Sequence, residues 1–110
     1  MSKENFSLVK NRIKELPSNI EAEQAVLGSI LVSNDIYDEI SQFLDSDKFF
    51  DPVHSKIYQA IERLIGKGML ANPITLKNYF ENDPGLNELG GKEYLIKITN
   101  FSTSIRQALD

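Results

Sequence analysis

Apolar side chains recur along this chain at helical spacing far more than at the alternating spacing of strands. Val26, Leu27, Ile30 and Leu31 fall at i, i+1, i+4 and i+5, the buried face of a helix expected from about 19 to 32. Ser18 and Glu21 stand at capping-box spacing at its start, and Glu21 and Glu23 put negative charge where the helix end is positive. Ala22, Ala25 and Gly28 keep one side thin enough for another helix to approach closely. Asn34 or Asp35 is placed to cap a second helix over 35–44, with Ile36, Ile40, Phe43 and Leu44 on one face. The polar turn "DSDKFF" follows and ends in two adjacent aromatics. Asp51-Pro52 then starts a third helix, an acidic N-cap followed by proline at the first helical position. Its Val53, Ile57, Ala60, Ile61 and Leu64 give the cleanest period in the chain, and "GKG" at 66–68 ends it.

Beyond the connector "MLANP", Thr75 is expected to cap a short helix over 75–82 that carries Leu76, Tyr79 and Phe80. "ENDPGLNELGG" (81–91) is turn-rich, with one helical turn at 85–89. A last stretch over 91–100 turns Tyr94, Leu95 and Ile98 inward, and Ser102 or Thr103 is placed to cap a further helix. The pattern predicts an all-α fold, a compact bundle of about six short helices in orthogonal packing. Residues 1–17 have weak periodicity and end at Pro17; they read as a flexible leader, partly helical over 6–15.

Charge changes this picture in one respect. The net charge is −4, but residues 1–16 hold four basic and two acidic side chains, net +2, and the remainder is net −6. Nucleic-acid affinity rests on neutralising phosphates, so an acidic body argues against a DNA-binding face, although the basic leader could touch phosphate. The 110 residues suffice for one domain, with roughly two-thirds of the unfolded surface buried. There is no cysteine, which excludes disulfides and thiolate metal sites and fits a reducing compartment. No apolar run has the length of a membrane span, and no apolar core follows the N-terminal charges as in a secretory signal.

Catalytic chemistry finds little to build on. His54 is the single histidine, sits in the first turn of the third helix, and has no second histidine or cysteine at zinc-ligand spacing. The carboxylates fall on expected exposed faces or caps. "GLNELGGKE" (85–93) approaches a phosphate-binding loop, but Gly91 stands where lysine is required, Lys92 comes one place late, and Glu93 replaces the magnesium-binding hydroxyl. An ATP site within this chain is rejected. "TLKNYFEN" is too poor in basic residues for a recognition helix. From the residues alone, the reading is a helical binding or assembly module.

Four segments carry a more specific resemblance: "LPSNIEAEQAVLGSILVSND" (16–35), "FFDPVHSKIYQAIERLIGKG" (49–68), "ITLKNYF" (74–80) and "LGGKEYLIKI" (89–98). In identity and order they resemble the N-terminal domain of the bacterial DnaB-type replicative helicases. The resemblance implies a parent enzyme that is a hexameric, ATP-driven 5′-to-3′ DNA helicase. Its RecA-like motor, with ATP and magnesium, would lie after this domain. This chain would then hold no catalysis and no cofactor of its own. N-terminal domains of the family pair into a collar of three dimers, admit single-stranded DNA and dock the primase C-terminal domain. The resemblance thus implies an oligomerisation and primase-docking domain in the cytoplasm, residues 18–101, with 102–110 beginning a truncated helical hairpin or linker. The alternative reading is a helical nucleic-acid-binding domain that guides single-stranded DNA. Two departures touch the helix ends: "ANP" (71–73) replaces the usual acidic or apolar residue, and the proline common near "NFSTS" is missing.

Glu21 and Tyr94 are the candidate partner-interface residues. If the starts of the first and last helices meet, a bond from the Tyr94 hydroxyl to the Glu21 carboxylate would tie them into a surface for a partner.

Overall fold

The computed structural model describes residues 19–81 and 83–109, all of whose regular elements are helical. The leader, Ser18, Asn82 and Asp110 lie outside the described residues. Among the described residues six α-helices run in chain order: α1 (Ile20–Val32), α2 (Tyr37–Ile40), α3 (Pro52–Gly66), α4 (Pro73–Tyr79), α5 (Pro84–Leu89) and α6 (Lys92–Leu109). Single 3-10 turns at Asn34–Ile36 and Ser46–Lys48 fill the links on either side of α2.

Helix α1 lies at the centre and packs most extensively on α6, with α3 as a second neighbour. It is buried from Ala22 to Leu31 with Gln24 partly exposed, and the small Ala22, Ala25 and Gly28 sit within that closed stretch. Leu27, Ile30, Ile57, Tyr58, Ile61, Leu95 and Ile98 form the heart of one core. Tyr58 donates from its hydroxyl to the Leu44 carbonyl at 2.8 Å, so this buried aromatic leaves no polar atom without a partner.

The helix starts differ from the sequence reading in detail. Asn19 caps α1, its side chain accepting from the Ala22 amide at 3.0 Å, and the expected cap Ser18 lies outside the described residues. The second helix shrinks to a 3-10 turn plus the four residues of α2. Asn34 is drawn away from capping: its amide accepts from Ala71 N–H at 2.8 Å and donates to the Ala71 carbonyl at 2.9 Å. Asn72, not Thr75, caps α4, and Thr75 completes a capping box from the third helical position. Asp83 likewise caps α5, with Pro84 at its first position.

The expected restart at Ser102 or Thr103 does not occur. Helix α6 runs without a break through Leu109. No glycine or proline interrupts it, and a mid-helix Thr99 satisfies its own hydroxyl on the Leu95 carbonyl at 2.8 Å. The segment compared with a phosphate loop is a helix–Gly–Gly–helix corner. Gly90 ends α5 in a left-handed conformation, φ +116°, and Gly91 follows at φ +62°.

Candidate functional site

Three helices place one polar side chain each at a common buried point. Glu23 sits in the first turns of α1, His54 in the first turn of α3 and Tyr94 in the first turn of α6. Glu23 and His54 are fully buried and Tyr94 is 8% exposed. The Glu23 carboxylate accepts three hydrogen bonds: from Phe50 N–H, from Asp51 N–H at 3.2 Å and from His54 Nδ1 at 2.8 Å. Across the imidazole, Nε2 meets the Tyr94 hydroxyl, and that hydroxyl accepts from the Gln24 amide at 3.1 Å.

The roles of the atoms follow from what each can do. A carboxylate only accepts, so His54 Nδ1 carries a proton. Burial pushes the Tyr94 hydroxyl above the ordinary tyrosine value; the Gln24 hydrogen bond opposes this, and the Asp51 and Glu23 carboxylates add to it. Tyr94 therefore keeps its proton at neutral pH and donates it to Nε2. The chain of donors runs Gln24 to Tyr94 to His54 to Glu23, and no buried side-chain polar atom among the described residues is left without a partner. The rings of His54 and Tyr94 stack at 5.9 Å with 14° between their planes.

The network corrects two expectations. Glu23 was counted among carboxylates on exposed faces or caps, yet it is wholly enclosed. It lies at i of an i, i+3, i+4, i+7 stripe with Val26, Leu27 and Ile30, and the stripe turns it inward with them. The bond proposed between Glu21 and Tyr94 is also not the one formed: the Tyr94 hydroxyl is held by Gln24 and His54, while Glu21 points into solvent. His54 and Gln24 are the partners that sequence reasoning missed. The signal for His54 was the same stripe, since it precedes Ile57, Tyr58 and Ile61 at i+3, i+4 and i+7.

As chemistry, this cluster is scaffolding. It joins the starts of three helices and pins the backbone at Phe50 and Asp51. Two shallow clefts lie elsewhere. One of about 390 Å³ is lined by Val32, Asn34, Asp35, Leu70 and Ala71 among others, and one of about 550 Å³ by Asn78–Phe80, Glu81 and Asp83. Neither is lined by Glu23, His54 or Tyr94. Among the described residues no group of three or more His, Cys, Asp or Glu is placed to hold a metal ion, and no helix is long and apolar enough to cross a membrane. The exposed apolar side chains are concentrated at loops and helix ends, with Phe50 at 71%, Leu70 at 68% and Ile74 at 60% exposure.

Comparison with known proteins places this arrangement in a family. The sequence model of the DnaB-like helicase N terminal domain matches residues 15–110. The chain belongs to the DnaB-like helicase N-terminal domain family. This DnaB-like domain is 44% identical over 95 residues to the replicative DNA helicase DnaB of Rickettsia typhi, covering 86% of this chain and 19% of that protein. The replicative DNA helicase DnaB of Buchnera aphidicola subsp. Acyrthosiphon pisum is 33% identical over 94 residues, covering 86% of this chain and 20% of that protein. The DnaB-like fold also matches the crystal structure of the N-terminal domain of DnaB helicase from Mycobacterium tuberculosis. There the TM-score is 0.69 at 31% identity, over 76% of this chain and 58% of that one. The DnaB-like chain thus spans about a fifth of the length of the curated relatives it matches.

Proposed function

We propose that this chain acts as the oligomerisation and primase-docking domain of a replicative DNA helicase and performs no catalysis itself. The observation that carries the reading is the family match over residues 15–110, which falls on about a fifth of relatives that are named replicative helicases. ATP and magnesium would belong to a motor elsewhere in such a protein, working in the cytoplasm. The partners would be further copies of the chain and the primase C-terminal domain, with DNA met mainly through the assembled ring.

The geometry supports a scaffold that holds a surface in shape. Glu23, His54 and Tyr94 fix how α1, α3 and α6 start relative to one another, and so fix the exposed side chains around them. Glu21 is retained as a contact residue on that surface, while Tyr94 acts from beneath it as a positioning residue. The alternative of a nucleic-acid-binding domain is disfavoured by the net charge of −6 on residues 17–110.

Deleting residues 15–110 from a full-length helicase that contains them tests the reading. The expected result is DNA-stimulated ATP hydrolysis retained within a few fold, with weakened hexamers and no response to primase. Undiminished primase stimulation in the deletion variant would contradict the proposal.

A further inference from the structure

The hydrogen bonds through His54 run in one direction, and one end of the line reaches the surface. Glu23 and His54 are fully buried, whereas Gln24 is partly exposed. With Nδ1–H donating to Glu23, Nε2 is an acceptor that takes the Tyr94 proton, and the Tyr94 oxygen takes an N–H of Gln24 at 3.1 Å. Three elements bring titratable groups to this line. They are Glu23 from α1, Asp51 at the cap of α3, whose carboxylate bears on Tyr94, and Tyr94 itself from α6.

A second proton can enter the imidazole only at Nε2, because Nδ1 already holds one. Nε2 then donates to the Tyr94 oxygen instead of accepting from it. The Tyr94 hydroxyl proton loses its acceptor and needs another within a closed site. Gln24 can supply it. The oxygen and nitrogen of its amide occupy equivalent places, so a half-turn of the amide sets Oε1 where Nε2 stood, within reach of the hydroxyl. Among the described residues the Gln24 side chain is tied to Tyr94 alone, so the half-turn breaks no other bond. Glu23 keeps its three donors throughout and stands 2.8 Å from Nδ1 as the counter-charge of the imidazolium. No contact of the line is lost in either direction.

We propose that uptake of a proton by His54 reverses the hydrogen bonds from His54 outward and turns over the Gln24 amide, a proton-driven switch built into the starts of α1, α3 and α6. The surface beside the start of α1 then exchanges a donor for an acceptor. A partner that hydrogen-bonds the Gln24 amide is coupled by reciprocity to the proton on His54. The inference rests on the geometry of the cluster and stands apart from the primase reading.

His54 is the single histidine, so its ring nitrogens give one pair of NMR signals in the isotope-labelled full chain. These and the Gln24 side-chain amide are followed from about pH 8 to about pH 5, the range in which histidine changes charge. The expected result is that Nε2 passes from bare to protonated and that the Gln24 amide signals move with the same midpoint. In Tyr94→Phe the Gln24 movement is lost while His54 still titrates. In Gln24→Leu the Tyr94 proton has no acceptor, and the His54 midpoint falls by about half a pH unit or more, the worth of one hydrogen bond. Gln24 lies outside the core, so this second variant keeps the fold even where Tyr94→Phe does not. A Gln24 amide that moves equally in Tyr94→Phe senses only the field of the imidazolium and overturns the proposal. A His54 midpoint unchanged in Gln24→Leu overturns it too, as does a ring that takes up its proton only on unfolding.

Discussion

Glu23 is the residue on which the three helix starts depend. Replacing it with alanine leaves Phe50 N–H, Asp51 N–H and His54 Nδ1–H without an acceptor in a closed site. A buried donor left without an acceptor costs about 1–3 kcal/mol. Urea unfolding of Glu23→Ala is expected to show a loss of that size, and a loss under 1 kcal/mol would contradict the network. Tyr94→Phe removes one hydroxyl that serves both His54 and Gln24, and a cost of about 1–3 kcal/mol is expected by the same measurement. The stripe that carries Glu23 and His54 was legible in the sequence, because each precedes apolar residues at i+3, i+4 and i+7. Their pairing was not. They stand 31 residues apart on different helices, and the favourable fit of a glutamate to a helix N-terminus explained Glu23 without any partner. Tyr94 was rightly turned inward by its period with Leu95 and Ile98, but a period says nothing of which polar group waits at the other side.

Among the elements, α3 was read correctly from end to end, because an Asp-Pro start, a strict apolar period and a glycine stop agree. The same Asx-Pro rule governs Asn72-Pro73 and Asp83-Pro84, where weaker periods drew the expected starts inward to Thr75 and 85. Asn72→Ala removes the side-chain acceptor of the Ile74 and Thr75 amides, one half of the α4 capping box, and a loss of about 1 kcal/mol in thermal or urea unfolding is expected. Gly90→Ala forces a Cβ into a positive-φ corner between α5 and α6 and is expected to cost about 1–2 kcal/mol. A neutral Gly90→Ala would show that the corner relaxes and that the α5–α6 angle is not set there. The short α2 was illegible for a physical reason. Asn34 binds the backbone of Ala71 across 37 residues, a long-range bond that a local capping rule does not anticipate.

At the scale of the whole molecule, burial raises the ionisation of Tyr37, Tyr58 and Tyr94 above the ordinary tyrosine value. The unfolded chain loses these protons near pH 10 while the fold still holds them, so their contribution is complete below about pH 10 and falls as pH rises further. Thermal unfolding followed by circular dichroism should therefore give a flat midpoint from pH 8 to about 10 and a decline above it; a midpoint still flat at pH 11 would contradict the buried-tyrosine account. The all-α class was legible from periodicity alone, whereas function was not: the domain's polar chemistry is sealed inside, and only the order of motifs led to the helicase family. Sedimentation velocity of this chain with a DnaB-partner primase C-terminal domain tests the docking role most directly. A faster boundary containing both proteins, absent when either runs alone, is the predicted result. Independent sedimentation of the two, with the chain itself folded, would contradict the account.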